Sequence, residues 1–159
     1  MKEKILELLY ENARYTVEEM AMMLGAGEEE IAAKIDEMEK DNVIRGYKTL
    51  IDWEKVDDRH VTALIEIKVK PQATYGFEEI ANKISQFEYV ESVYLMSGGY
   101  DLCVIVTGQT FQKVAAFVSN YLAPIDGVEA TGTHFVLRRY KDMGVELKVN
   151  SDDREKISL

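Results

Sequence analysis

The sequence predicts an α+β chain of two small units: an N-terminal winged helix-turn-helix unit and a C-terminal ferredoxin-like βαββαβ domain. Three observations carry this expectation. Apolar residues recur at spacings of three and four through residues 1–45, and the period changes to two at Val61. Strand and helix periods then follow one another in the order β-α-β-β-α-β. The expected boundaries are 1–52 for the first unit, 53–60 for a linker, 61–149 for the second unit and 150–159 for a polar, frayed tail.

Three stripes define the first unit: Ile5, Leu8 and Leu9; then Val17, Met20, Ala21 and Leu24; then Ile31, Ile35 and Met38. Each marks a short helix able to bury one face against the other two. Thr16-Val17-Glu18-Glu19 fits a capping box that starts the second helix. Gly25 stands where a left-handed residue should end it. Gly27 can cap the third helix, and Glu28, Glu29 and Glu30 complement its dipole in the first turn. Helix two, a glycine turn and helix three make a helix-turn-helix. From Val43 to Ile51 the chain reads as extended, with a kink at Gly46. Asp52–His60 is polar, and its Trp53 is expected to pack against a domain rather than hold a ligand.

The second unit opens with Val61, Ala63, Ile65, Ile67 and Val69 on one strand face and Thr62, Leu64, Glu66, Lys68 and Lys70 on the other. Pro71 should end this strand. Phe77, Ile80, Ala81 and Ile84 form a helical face. Val90–Ser97 is the second strand, Gly98–Asp101 a turn and Leu102–Thr107 the third strand. Phe111, Val114, Ala115 and Val118 form the second helical face, Pro124–Gly127 a turn and Glu129–Arg138 the fourth strand. Both helices of this topology cover one sheet face. The other face also reads as apolar, with Cys103 and Ile105 opposite Leu102, Val104 and Val106, and with Tyr94, Met96 and Val136 on further strands. Such a surface predicts face-to-face dimerisation, unless a longer loop or the N-terminal unit covers it.

Composition narrows the function classes. The chain has 159 residues, 47% hydrophobic and 30% charged, which suits a folded protein. No apolar run approaches the roughly 18–20 residues of a membrane span. The charged start Met1-Lys2-Glu3-Lys4 does not resemble a secretory signal, so a cytoplasmic location without membrane association is expected. The single cysteine, Cys103, reads as a buried small hydrophobe, and no Cys/His spacing suggests a metal. No nucleophile–base pair or phosphate loop is visible. Gly25-Ala26-Gly27 precedes a helix but follows no strand, so it fails the dinucleotide fingerprint. Enzymatic activity and a cofactor are therefore not expected. The best candidate site is the Gly98-Gly99-Tyr100-Asp101 turn. Its glycines allow close backbone approach, Tyr100 offers a wall and a hydroxyl, and Asp101 can accept from a cationic amine. Thr131 and Thr133 could add hydroxyls, or could be ordinary strand threonines.

Taken together, these motifs resemble the Lrp/AsnC family of transcription regulators over almost the whole chain. The likeness runs through Ile5–Leu9, Asn12-Ala13-Arg14, Glu18-Glu19, Leu24-Gly25, Ile31, Ile35 and Val43–Tyr47 with Ile51-Asp52. It continues in Val61-Thr62-Ala63, Val93-Tyr94, Gly98–Asp101 and Thr131-Gly132-Thr133. The resemblance implies that the N-terminal unit binds promoter or operator DNA. It also implies that the C-terminal domain, a RAM/ACT-like module, dimerises through its sheet, with dimers able to build octamers. Small effectors, usually amino acids, bind between subunits near the G-x-Y-D turn. By that likeness Gly98, Gly99, Tyr100 and Asp101 form the effector loop, and Thr131 and Thr133 the facing strand. Asp101 would pair with the ligand ammonium, and amides near Gly98 and Gly99 would hold its carboxylate.

The charge pattern departs from a typical DNA reader. The whole chain carries −10, and residues 1–52 hold seven basic against thirteen acidic residues, a net −6. Where relatives carry Ser before the recognition helix and Arg in its middle, this chain has Gly27, Ala32 and Ala33. Affinity for DNA rests mainly on phosphate neutralisation, so weak, strongly salt-sensitive binding is expected, with Lys34, Lys40, Arg45 and Lys48 as the leading contacts. Thr16, Gly27 and Glu28 complete the candidate set at the helix starts, where hydroxyls and amides can hold phosphate and Glu can accept from cytosine N4. The competing expectation is an effector-sensing oligomer that has largely lost DNA binding and acts through protein partners.

Overall fold

The computed structural model describes residues 1–56, 60–70 and 76–147. Pro71, linker residues 57–59 and the tail 150–159 lie outside the described residues. Two compact units are present, Met1–Leu50 and Ile51–Leu159.

The first unit contains α1 (Lys2–Glu11), α2 (Val17–Leu24) and α3 (Glu28–Lys40). Their apolar stripes meet in a core of Ile5, Met20, Ala21, Ile31 and Met38, edged by Leu8, Leu9, Val17, Leu24 and Ile35. The capping box forms as expected: the Glu19 amide donates to Thr16 Oγ1 at 3.1 Å, and the Thr16 amide donates to Glu19 Oε2 at 2.8 Å. Gly25 adopts φ 63, a left-handed cap, and the Ala26 amide reaches back to the Ala21 carbonyl at 3.0 Å. After α3 the amides of Val43 and Ile44 both donate to the Met38 carbonyl, at 2.8 and 3.1 Å. Ile44 packs on the core, and Gly46 makes the expected kink at φ 154. Residues 45–52 form no regular element and pair with no strand among the described residues, so the expected wing has no ladder.

The second unit comprises β1 (Val61–Val69), α4 (Phe77–Ser85), β2 (Val90–Leu95), β3 (Leu102–Gly108), α5 (Phe111–Phe117), a π-helical turn (Val118–Leu122) and β4 (Val128–Phe135). The antiparallel sheet has the order β2-β3-β1-β4. On its helix-covered face Val61, Ala63, Ile65, Ile67 and Val69 join Leu102, Val104 and Val106. Against them pack Ile80, Ile84, Val114, Phe117, Val118 and Leu122.

Several expectations need correction. Phe117 is buried where Ala115 was expected; Ala115 is exposed, and so is Phe111, whose ring meets the Phe135 ring edge-on. Ordinary helical spacing supplies the reason, since Val114, Phe117 and Val118 stand at i, i+3 and i+4 while Ala115 turns to solvent. The π turn that follows then brings Leu122 back to the sheet. β2 stops at Leu95, because the Met96 amide already closes the turn onto the Asp101 carbonyl at 2.9 Å. β4 stops at Phe135, and beyond it Arg139 turns back to donate to Thr62 Oγ1 at 2.6 Å. A hairpin of β5 (Lys141–Asp142) and β6 (Val145–Glu146) follows, turning through Met143 at φ 44 and Gly144 at φ 84. It was not foreseen: both turn residues need positive φ, the usual signal for which is Asn-Gly or Asp-Gly, and Met143-Gly144 carries only its second half. Finally, the open sheet face is mixed rather than uniformly apolar. Leu64, Cys103, Ile105 and Tyr94 share it with Glu66, Lys68 and His134, as strand pairing requires.

Candidate effector and nucleic-acid sites

The Gly98–Asp101 turn is tied to the end of β1 by one residue. The Asp101 amide donates to the Ile67 carbonyl at 3.0 Å. Its carboxylate Oδ2 accepts the Val69 amide at 2.8 Å, and the Lys68 ammonium lies 3.6 Å from the same oxygen. Asp101 therefore holds the turn in place while already facing an ammonium group as an ion pair. Gly98, at φ 143, supplies backbone freedom where the turn needs it.

Strand pairing distributes the other candidates over two faces. Tyr100 lies beside Cys103 and Glu66, which strand pairing puts on the open face. Burial and the neighbouring Cys103 and Glu66 push its phenol up. Burial, followed by Glu66, pushes the Cys103 thiol up. Both groups are therefore protonated at neutral pH, and Cys103 is a buried free thiol, as expected. His134 Nε2 stands 3.5 Å from Glu66 Oε2 across Gly132, where an added Cβ would approach both side chains. Thr131 and Thr133 pair with Ile67 and Ile65, so they lie half-buried on the helix-covered face. The turn and Thr131 meet at one end of the sheet, on either side of β1, whereas Tyr100 faces away from both threonines. Sequence reasoning missed the Glu66–His134 pair, although Glu66 on an otherwise apolar strand was its signal.

In the first unit, Thr16, Gly27 and Glu28 sit at the starts of α2 and α3. Thr16 spends its hydroxyl oxygen on the capping box, and Gly27 caps α3 without a side-chain bond. Lys34 lies on α3, where its ammonium bonds to Glu37 at 3.3 Å. Lys2 reaches the same carboxylate at 2.9 Å. These contacts, the Lys2 hydrogen bond foremost, hold the Glu37 carboxyl below the usual glutamate range. Lys40, in the last turn of α3, and Arg45 and Lys48, on the segment after it, are exposed. Tyr47 anchors that segment by donating to Glu39 at 2.9 Å.

A capped helix-turn-helix followed by a ferredoxin-like sheet domain defines the class of helix-turn-helix regulators. Comparison with known proteins makes the assignment specific. The family model described as the Lrp/AsnC ligand binding domain matches residues 62–146. The HTH-type transcriptional regulator YugG of Bacillus subtilis (strain 168) is 46% identical over 152 residues, covering 95% of this chain and 92% of that protein. The crystal structure of PH0061 aligns with a TM-score of 0.77 at 25% identity, covering 92% of this chain and 95% of that one. A regulator from Neisseria meningitidis, NMB0573, solved as an L-Met complex, shares the fold with a TM-score of 0.73 at 23% identity, covering 94% and 95%. The chain belongs to the Lrp/AsnC family, whose matched members are named as transcriptional regulators rather than enzymes. Among the described residues no helix is long and apolar enough to cross a membrane.

Proposed function

We propose that this chain is a cytoplasmic regulator that binds operator DNA through α2 and α3 and responds to an amino acid bound at the Gly98–Asp101 turn. Two copies pair through the open sheet face, so that the turn lies at a subunit seam, and dimers can assemble further. The observation that carries the effector reading is the Asp101 carboxylate, which is ion-paired with the Lys68 ammonium at 3.6 Å. A free amino acid offers the same group and would take the place of Lys68, with the amides at Gly98 and Gly99 available to its carboxylate. The Neisseria relative's L-Met complex supports an amino-acid ligand. Thr131 and Thr133 would contribute from the far side of β1.

A thermal-shift screen with the twenty amino acids tests this reading. A ligand at a hundredfold excess over Kd adds about 2.7 kcal/mol of stability. Asp101→Asn keeps an acceptor for the Val69 amide but loses the charge, so ligand stabilisation should vanish while the fold persists. Unchanged stabilisation would remove Asp101 from the site.

For DNA, Lys34, Lys40, Arg45 and Lys48 are the contacts, with Thr16, Gly27 and Glu28 at the helix starts. The net −6 of residues 1–52 also favours a second reading, in which the sensor works through protein partners. A gel shift on the chain's own upstream region, repeated from low to moderate salt, separates the two. DNA binding requires affinity that falls steeply with salt.

A further inference from the structure

A second cleft lies at the opposite end of the sheet from the Gly98–Asp101 turn. Its volume is about 490 Å³, and it is lined by Trp53, His60, Glu88, Tyr89, Thr107, Gly108, Gln109 and Lys113. The register separates the two places: Gly108 pairs with Val61 at the start of β1, whereas Asp101 is tied to its end. The volume falls in the range of roughly 300–1,000 Å³ usual for small-molecule sites.

One wall is aromatic and held from behind. Trp53 stacks on His60 with ring centroids 4.9 Å apart and planes 17° from parallel. Behind this stack, the Arg139 amide donates to Glu54 Oε1 at 3.4 Å, and its guanidinium donates to Thr62 Oγ1 at 2.6 Å. Tyr89 supplies a second aromatic surface. Its ring is fixed against Phe117, at 5.4 Å, and its amide oxygen accepts the Thr107 amide at 2.9 Å. Trp53 and Tyr89 nevertheless remain 37% and 46% exposed. The cationic group is Lys113, in the first turn of α5, whose ammonium bonds to the Gln109 side chain.

We propose that this cleft is a second ligand site, for a planar aromatic carboxylate. The ring would lie against Trp53 and Tyr89, and the carboxylate would pair with Lys113 and accept from the Gln109 amide. Trp53 stands three residues beyond the boundary at Leu50, so an occupant would bear on the first structured turn after the helix-turn-helix unit.

Trp53 is the only tryptophan of the chain, so its emission reports on this aromatic wall, and variants at Tyr89 and Lys113 assign any quenching to this cleft. The full-length protein is titrated with phenylacetate and, separately, with neutral phenylacetamide. The expected result is saturable quenching by phenylacetate, at least tenfold weaker with phenylacetamide and at least tenfold weaker in Lys113→Met. Tyr89→Ala, which keeps the reporter, should weaken binding as well. Absence of saturable quenching by phenylacetate overturns the proposal. So does equal affinity for the neutral probe, or a Lys113→Met variant that binds as the parent does. An amino-acid response at the Gly98–Asp101 turn is read by thermal shift and stands or falls separately.

Discussion

The two units solve the same burial problem with very different resources. The first hides five residues fully, Ile5, Met20, Ala21, Ile31 and Met38, beneath three short helices. The second buries fourteen residues between a four-stranded sheet and two helices. Small units bury a smaller share of their surface and keep a thinner margin of stability. The first unit must therefore lean on local devices, the Thr16–Glu19 capping box and the Gly25 cap, that the second scarcely needs. The difference also separates roles. The marginal unit is the one that would adapt to a partner, and the rigid sheet is the one that can hold a turn such as Gly98–Asp101 in fixed geometry.

The sharpest way to break this comparison is a matched pair of cavities. Ile65→Ala and Ile31→Ala remove the same atoms from fully buried positions, each costing about 2–5 kcal/mol. In the first unit that loss should exceed the available stability. Urea unfolding read by helical circular dichroism should then show the first unit melted in Ile31→Ala, with the Trp53 emission transition unmoved. Ile65→Ala should instead shift the Trp53 transition to lower urea without abolishing it. Equal behaviour of the two variants would mean the units do not differ in margin.

A smaller effect tests the rigid turn. Asp101→Ala strips the Val69 amide of its part-buried acceptor, a loss of about 1–3 kcal/mol, whereas Asp101→Asn should recover much of it. Thr16→Ala should cost about 1 kcal/mol, confined to the first unit and visible as a shift in its thermal midpoint.

Legibility in the sequence followed the same division. The helical stripes of the first unit and the alternation of β1 were plain, because each element has one buried face and its period exposes which. Phe117 was missed although its spacing from Val114 is regular, because the sequence here offers apolar residues at 111 and 114–118 and so overlapping faces. The β5–β6 hairpin was missed because two-residue strands carry no period at all. At the candidate effector site, the turn itself was readable from its glycines. The link from Asp101 to Val69 was not, since it joins residues 32 apart in sequence and arises only from strand order. The placement of Thr131 and Thr133 on the face away from Tyr100 likewise depends on register, which composition does not encode.

The smallest expected effect concerns charge in the first unit. Glu37 is contacted by both Lys2 and Lys34, and its folded pKa is lowered, so its ion pairs add stability above the ordinary glutamate range, about 4.3. That contribution is lost as pH falls through the lowered folded value. A carboxyl titration by NMR should find Glu37 releasing its proton below the ordinary glutamate range. If Lys34 meets DNA as proposed, the same pairing competes with phosphate for it. Glu37→Gln removes one negative charge and releases that lysine, so DNA affinity at low salt should rise slightly, with the gain disappearing as salt screens it. If affinity falls instead, Glu37 is positioning Lys34 for the phosphate rather than competing for it. The acidic surface of α3 would then be part of the reading head.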